Sequence, residues 1–227
     1  MEFTLLAAAA IGIGAMWAML WWEGPRGNAV ECDRDVFEAA FTAVIIGLAI
    51  GRIASMIGNG VNPVTNPADL LIVRSGVATG PAALGALAAY GWLSRGNLWW
   101  LFDGVAAAAL AGIAGWHAGC LAREACLGTP TDLPWAMHQT SSTVGRHPVE
   151  LYAALALAVA AIVIAWIKTS DRRPSPGSLA GIALAVAGLV RLGTEPFRPA
   201  LGNGPVWWYA AAVVAGLAAF AVRQRAR

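Results

Sequence analysis

Long apolar runs dominate this chain and constrain its fold more than any other feature. A helix needs about 20 consecutive apolar residues to cross a hydrocarbon core roughly 30 Å thick. Runs of that kind follow one another between loops rich in polar residues, glycine and proline. They cover residues 3–22, 36–58, 77–93, 98–122, 148–167, 178–195 and 205–222. We therefore predict an all-α polytopic membrane protein with about seven transmembrane helices, folded as a single integral membrane domain over residues 1–227.

The composition excludes most soluble classes of protein. Only 12% of the residues are charged and 58% are hydrophobic, whereas an ordinary soluble domain carries about 25% charged residues. So little charge excludes a disordered chain, a nucleic-acid-binding protein and an ordinary cytosolic enzyme. The N-terminus, Met1-Glu2-Phe3, has no basic segment, so the first apolar run is predicted to be a retained span and not a cleaved signal.

The distribution of lysine and arginine predicts how the chain is oriented in the membrane. Seven spans place the two termini on opposite sides. Nine cations fall on the side of the C-terminus, namely Arg26, Arg34, Arg95, Lys168, Arg172, Arg173, Arg223, Arg225 and Arg227. Four fall on the other side, namely Arg74, Arg123, Arg146 and Arg198. Because basic residues accumulate in cytoplasmic loops, we predict a cytoplasmic C-terminus and an N-terminus outside.

Two arginines lie inside apolar runs, where a charge costs roughly 2.5–3.5 kcal/mol even on a lenient scale. Arg52 and Arg191 both fall toward the outer ends of their spans, and Arg146 and Arg198 also lie at outer span ends. Guanidinium groups bind phosphate through paired hydrogen bonds, and the abundant phosphate at this depth is a lipid headgroup. We predict that these arginines bind an anionic phospholipid. The alternative is that each one merely extends to the interface and binds nothing specific.

The cysteines indicate neither a disulfide framework nor a metal site. There are three, Cys32, Cys120 and Cys126, too few and too scattered for such a framework. The sequence contains no C-x-x-C pair or Cys/His cluster, so no metal and no cofactor is predicted. Cys120 and Cys126 are expected to be small packing residues. The alternative is that one of them is a thiol acceptor within the protein.

Four short strings between residues 45 and 200 resemble those of a known family. They are G-R at 51–52, G-T-P-T-D-L-P-W at 128–135, R-H-P-V-E-L-Y at 146–152 and R-L-G-T-E-P-F-R at 191–198. In the same order they resemble G-x-R-L, G-[RK]-P-T-D-L-P-W, R-H-P-x-Q-L-Y-E and R-x-x-x-E-x-x-R of the bacterial prolipoprotein diacylglyceryl transferases. Asp103 matches the aspartate that opens the family's fourth-span helix.

The resemblance implies a reaction, its partners and a location. The family moves the diacylglyceryl group of phosphatidylglycerol to the lipobox cysteine thiol of a preprolipoprotein, forming a thioether and releasing glycerol phosphate. The resemblance also implies seven spans with the N-terminus outside, in the bacterial cytoplasmic (inner) membrane. The expected partners are phosphatidylglycerol or another anionic phospholipid and a preprolipoprotein signal peptide, with no nucleic acid.

The residue types and the resemblance together predict which side chains form the site. The expected catalytic residues are His147, Arg146, Arg191 and Glu195. The expected lipid-binding residues are Arg52, Arg198, Tyr152, His117, Arg123 and Gly128. Arginines that neutralise the departing phosphate lower the barrier where charge develops. Glu195 is expected to pair with Arg191 or Arg198.

Two of these residues have an ordinary structural alternative. A thiol needs a base or a cationic neighbour to become a thiolate, and His147 is the predicted base. Its alternative role is to cap the helix that begins at Pro148. Tyr152 is expected to donate a hydrogen bond to a lipid ester or phosphate, the alternative being an ordinary interfacial tyrosine.

Several positions depart from the family strings. The best gapless alignment puts Gly80 at the family's histidine, His117 at its lipid-binding arginine and Cys120 at an asparagine. Glu150 stands for a glutamine and Ala153 for a glutamate. These departures leave two alternatives to the standard transferase, a paralogue with another acceptor and a non-catalytic phospholipid-binding accessory protein. A small transporter is disfavoured, because the polar groups crowd the outer side and not the midplane.

Overall fold

Helices account for the architecture, as the apolar runs predict. A computed structural model describes residues 2–29, 35–70, 76–120, 126–139, 142–170, 174–199 and 206–225. These residues contain seven α-helices and no β-strand. The helices are α1 (Glu2–Glu23), α2 (Val36–Gly58), α3 (Thr79–Leu93), α4 (Leu98–Gly119), α5 (Val149–Thr169), α6 (Ser178–Thr194) and α7 (Val206–Arg225). The all-α class is therefore confirmed.

Not every helix has the length and composition of a membrane span. Within the described ranges, five segments are long and apolar enough to cross a membrane: α2, α4, α5, α7 and Ser178–Phe197, which is α6 with the short 3₁₀ turn that follows it. Helix α3 has 15 residues, or about 22 Å at 1.5 Å per residue. The multi-pass character is confirmed, whereas the count of seven spans and the orientation stay predictions.

Some sequence-based predictions fall on residues outside the described ranges. Among the cations counted for the orientation these are Arg34, Arg74, Arg123, Arg172, Arg173 and Arg227, and among the cysteines Cys32. Contacts group the chain into two compact units, residues 1–30 with 102–227 and residues 31–101. The prediction of a single domain over the whole chain stays a prediction.

In the first unit, helices pack closely through small residues. Helices α4, α5 and α6 share a core in which Ala107, Leu157 and Ala161 are fully buried. A Cβ added to Gly12 of α1 would lie 2.9 Å from the carbonyl oxygen of Gly112 in α4. Glycine and alanine therefore allow helix backbones to approach closely, as in other membrane helix pairs.

One end of the first unit holds a network of buried polar groups. Lys168 Nζ lies 2.7 Å from Glu23 Oε1 and donates to the carbonyl of Gly104 at 2.8 Å. The Asp103 carboxylate accepts from the backbone N–H of Gly177 and of Ala180, both at 2.7 Å. These two N–H groups belong to the start of α6, where helix donors need partners.

The same contacts determine the relative directions of the helices. They bring together the ends of α1 and α5 with the starts of α4 and α6. Arg223, near the end of α7, donates from Nε to the carbonyl of Pro176, which precedes α6, at 2.6 Å. Helices α1, α5 and α7 therefore run in one direction, and α4 and α6 run in the opposite one.

The second unit contains α2, α3 and the first residues of α4. Helices α2 and α3 also pack through small residues, since a Cβ at Gly47 would lie 2.6 Å from the carbonyl oxygen of Ala82. The backbone N–H of Ala78 donates to the carbonyl of Gly51 at 3.1 Å. The second unit is thus a closely packed helix pair with the loop that joins the two helices.

The cysteines correct one expectation from the sequence. Cys120 and Cys126 form a disulfide, with Cα atoms 5.8 Å apart. Neither is a free packing thiol or a thiol acceptor, because a disulfide sulfur carries no proton and is not nucleophilic. Cys120 directly follows the last residue of α4, and Cys126 lies six positions further along the chain.

Candidate functional site

Glu150 is the centre of a cluster of ionisable side chains at the other end of the first unit. It lies in the first turn of α5 and is buried. Its Oε2 bonds Nδ1 of His117, in the last turn of α4. Arg198 Nη2 lies 3.2 Å from Oε1, and Arg191 Nη1, from the last turn of α6, lies 3.7 Å from Oε2.

The cluster forms because several helices end or begin at the same level. A buried carboxylate is strongly destabilising unless it is paired and hydrogen-bonded. Three partners from α4, α6 and the segment after α6 surround Glu150, and Arg198 Nη1 lies 3.6 Å from Glu195 Oε2. His117, Arg191, Arg198 and Glu195 are therefore brought together, as a site requires.

Two arginines at this end have N–H groups that could still bind a ligand. Arg191 Nη2 donates to the Tyr209 hydroxyl at 3.3 Å, and its guanidinium lies 5.3 Å from the centre of that ring. Among the described residues, buried Arg191 Nη1 and Arg146 Nε have no hydrogen-bond partner. Buried donors without a partner call for an explanation, and an anion with several acceptor oxygens would satisfy them.

Backbone hydrogen bonds hold the loop that carries Arg146 and His147. Arg146 exchanges two backbone hydrogen bonds with Met137, at 2.9 and 3.0 Å, and the backbone N–H of Gly128 donates to the carbonyl of His147 at 2.7 Å. The backbone N–H of Thr129 donates to the carbonyl of Phe197 at 2.8 Å. Hydrogen bonds within the loop and to the segment that precedes Arg198 thus fix the position of the loop.

Gly128 lies at the point where these backbone segments cross. A Cβ there would clash with the carbonyl oxygen of Phe197 and with the side chain of Val149. Its carbonyl accepts from Arg146 Nη1 at 3.1 Å. Gly128 therefore orients Arg146 and permits close packing, and its predicted contact with lipid stays a prediction.

His147 belongs to an aromatic cluster beside the loop. Its Nδ1 lies 3.4 Å from the Tyr152 hydroxyl, which accepts from Trp135 Nε1 at 2.8 Å. The ring of Phe197 lies 4.9 Å from that of His147, centre to centre. Within the described part of the chain, no hydrogen bond or ion pair joins His147 to Glu150.

Arg52 belongs to the second unit. It is buried, and it donates from Nη1 to the carbonyl of Gly76 at 2.7 Å and from Nη2 to that of Asp69 at 2.6 Å. These bonds tie the loop after α2 to the end of that helix. The expected convergence of Arg52 with the other arginines stays a prediction, and Arg123 lies outside the described residues.

Sequence reasoning left Glu150 and Tyr209 out of the site. Glu150 was visible as an acid in place of the family's glutamine, and an acid in an apolar run is a functional candidate by default. Tyr209 resembles an interfacial aromatic and gives no separate signal.

Within the described ranges, no group of three or more His, Cys, Asp or Glu side chains could hold a metal.

Comparison with known proteins gives one family over almost the whole chain. A family model described as prolipoprotein diacylglyceryl transferase matches residues 2–222. A Solidesulfovibrio magneticus protein named phosphatidylglycerol–prolipoprotein diacylglyceryl transferase is 28% identical over 210 residues, which is 87% of this chain and 78% of the relative. A Bartonella bacilliformis protein of the same name is 28% identical over 191 residues, 79% of this chain and 65% of that protein. A Pseudomonas aeruginosa protein, also of that name, is 26% identical over 196 residues, 83% and 73% of the two chains.

Proposed function

Because the chain belongs to the prolipoprotein diacylglyceryl transferase family, we propose that it moves the diacylglyceryl group of phosphatidylglycerol to a lipobox cysteine of a preprolipoprotein. The sulfur displaces glycerol phosphate, so a C–O bond breaks as a thioether C–S bond forms. The observation that carries this proposal is the arginine cluster, in which buried Arg146 Nε and Arg191 Nη1 have no hydrogen-bond partner among the described residues. Such donors match the phosphate that becomes the leaving group.

The arginines act where negative charge develops. As the C–O bond breaks, charge accumulates on the phosphate oxygens, and fixed cations at that point lower the barrier. Arg191 is held by Tyr209 and by Glu150, and Arg198 by Glu150 and Glu195. Side chains already held in place lose little entropy when the lipid binds. Arg146, Arg191 and Arg198 are thus the proposed phosphate-binding group.

The remaining predicted residues have supporting roles. Gly128 orients Arg146 through its carbonyl. Tyr152, with its hydroxyl bonded by Trp135, can still donate its own proton to a lipid ester oxygen. Arg52 and Arg123 remain proposed lipid contacts. His147 remains a candidate base beside Tyr152.

Seven spans with a cytoplasmic C-terminus are proposed for this chain, in the inner membrane of a bacterium. Helices α1 and α4 run in opposite directions, so an even number of crossings lies between them. Helix α2 is one candidate span. An even number of crossings then requires a second span, and we assign it to the short helix α3. This parity supports seven spans in total.

The disulfide supports the same orientation independently of the arginine count. Disulfides persist in oxidising compartments such as the periplasm and are rare in the cytosol. The Cys120–Cys126 bond follows α4 at the end of the unit that carries Glu150. The proposed site therefore opens to the outer side, where a secreted preprolipoprotein presents its lipobox.

Expression in bacterial cells depleted of their own transferase tests this function. The readout is the intact mass of a reporter lipoprotein. Wild type is expected to add a diacylglyceryl group, and Arg191→Gln to lower the rate about 10²–10³-fold, the usual effect of losing one donor to developing charge. Arg26→Gln is the matched control, because Arg26 is exposed and lies at the opposite end of the first unit.

The outcome separates the proposal from its alternatives. A reporter without added mass, from cells whose wild-type protein still co-purifies with phosphatidylglycerol, would contradict the transferase and support an accessory lipid-binding protein. Added mass on a different acceptor only would support the paralogue.

A further inference from the structure

Two positions at which this chain departs from the family strings contact each other. His117 stands where the family has an arginine, and Glu150 where it has a glutamine. Nδ1 of His117 is bonded to Oε2 of Glu150 between α4 and α5, and both residues are buried. The two replacements thus form one hydrogen-bonded pair.

The bond to Glu150 determines which nitrogen of His117 can accept a proton. An ionised carboxylate has only acceptors, so Nδ1 must carry the proton in this bond, and Nε2 is the unprotonated nitrogen of the neutral ring. Within the described ranges, Nε2 has no hydrogen-bond partner. A histidine whose one nitrogen is held by a carboxylate and whose other nitrogen is open has the arrangement of a general base.

The same carboxylate joins this base to the proposed phosphate-binding group. Arg198 and Arg191 lie 3.2 and 3.7 Å from the two oxygens of Glu150. Tyr209 of α7 contacts Arg191 of this cluster. A thiol that gives its proton to His117 would therefore react beside the cations that stabilise the leaving phosphate.

Helix α1 packs on a different face of α4 from the one that carries His117. Helix α1 packs against α4 on the face formed by Gly112, Gly115 and Gly119, where its neighbours are Ala8, Gly12, Met16 and other small or apolar residues. His117 lies about 200° around the helix from Gly115, at 100° per residue. The charged group that contacts His117 is Glu150, and Arg191 and Arg198 pair with the same carboxylate.

We propose that His117, oriented by Glu150, is the general base that activates the lipobox thiol. This inference rests on the proposed transferase function. Nε2 takes the S–H proton, and the sulfur attacks the diacylglyceryl carbon bonded to the phosphate oxygen. The C–S bond forms while the C–O bond breaks, and glycerol phosphate leaves with the electron pair of that bond. The proton then passes from Nε2 to water, which restores the base.

The competing role for His117 is that of a cation replacing the family's arginine in lipid binding. The two roles predict opposite results for His117→Arg. An arginine keeps a positive charge but cannot accept a proton, so it preserves a lipid-binding cation and abolishes a base. His117→Gln removes both the charge and the base.

The three histidines of the chain allow a matched set of variants. Purified protein in phosphatidylglycerol nanodiscs is given a lipobox peptide, and kcat/KM for the peptide is followed by mass spectrometry across the neutral pH range. His117→Gln and His117→Arg are both expected to lower kcat/KM about 10²–10⁴-fold, the usual contribution of a general base, and to abolish its rise with pH. His138→Gln is the control, because His138 is exposed, and is expected to match wild type.

Glu150→Gln provides a second measurement that keeps the imidazole. A glutamine oxygen can still accept the Nδ1 proton, so Nε2 stays the unprotonated nitrogen of the neutral ring. The rise of kcat/KM with pH is therefore expected to persist in this variant. Retention of phosphatidylglycerol and the melting temperature report folding for each variant.

Several results would overturn the inference. They are a His117→Arg protein as active as wild type, a His117→Gln protein that keeps the rise with pH, a Glu150→Gln protein that loses this rise, and loss of the rise in His147→Gln instead. A wild-type protein that transfers nothing at any pH would refute the proposed function, and the inference would fall with it. If wild type and His117→Arg are both active, the role of His117 as a base is refuted, whereas the proposed transferase function stands.

Discussion

Lys168 is the only lysine of the chain, and its replacement by methionine would remove the cation from a buried ion pair. Nζ lies 2.7 Å from Glu23 Oε1 and donates to the carbonyls of Gly104 and Asp103, at 2.8 and 3.3 Å. Glu23 is 0% exposed and Lys168 5%. In Lys168→Met the Glu23 carboxylate would stay buried without its counter-charge.

The expected cost follows from that burial. Removing one partner of a buried pair costs about 3–5 kcal/mol, because the other charge is left uncompensated. For a chain of 150–250 residues, each kcal/mol moves the melting temperature by roughly 2–4 °C. Lys168→Met is therefore expected to melt about 6–20 °C below wild type. Arg26→Met, which removes an exposed cation lying 4.3 Å from the Trp22 ring, is expected to cost no more than about 1 kcal/mol.

Thermal unfolding in detergent, combined with a double variant, separates the ion pair from lost packing. Glu23→Gln added to Lys168→Met removes the uncompensated charge, so the double variant is expected to recover roughly 0.5–3 kcal/mol, the range of couplings between contacting residues. A Lys168→Met protein as stable as Arg26→Met would refute this reasoning. So would a double variant whose cost is the sum of the two single ones.

Three further predictions concern close packing, the disulfide and the orientation. Gly128→Ala is expected to lower stability by about 1–3 kcal/mol through overpacking. Gly14→Ala is the control, because its added Cβ meets no atom within 4 Å, and it is expected to raise stability by about 0.5–1 kcal/mol. Equal melting temperatures of the two variants would contradict the clash at Gly128. Cys120→Ser is expected to lower stability by about 2 kcal/mol, because the Cys120–Cys126 bond closes a short loop. A protein that carries only Cys32→Ser keeps both cysteines of the disulfide, so a maleimide should label it only after reduction. On intact spheroplasts, a membrane-impermeant maleimide should label the reduced pair, and labelling only after lysis would contradict an outward-facing site.

The sequence predicts the helices well because their positions depend on local properties. Apolar runs end where polar residues, glycine or proline occur, and helix α2 begins and ends at the predicted residues. The contacts between helices are a different matter. Glu23 and Lys168 are far apart in the chain, and their pairing depends on how α1 packs against α5. Neither residue alone carries a local signal of that partner.

The same distinction holds for the candidate site. Arg191 and Arg198 stand out locally, because charges are rare in this chain and costly in a membrane. Glu150 is visible as an acid in an apolar run, but its pairing with His117, 33 positions earlier, depends on how α4 packs against α5. The number of cysteines indicates no disulfide framework, whereas the Cys120–Cys126 bond depends on the positions that the two residues take after α4.

Transfer of a diacylglyceryl group from phosphatidylglycerol to a protein thiol releases one glycerol phosphate for each thioether that forms. The most direct measurement is simultaneous detection of both products from purified protein, namely released glycerol phosphate and the lipobox peptide carrying a thioether-linked diacylglyceryl group. Equal amounts of the two are expected from wild type, and neither product above background from Arg191→Gln. Phosphatidylglycerol that remains intact on a folded wild-type protein, with an unmodified peptide, would contradict the claim.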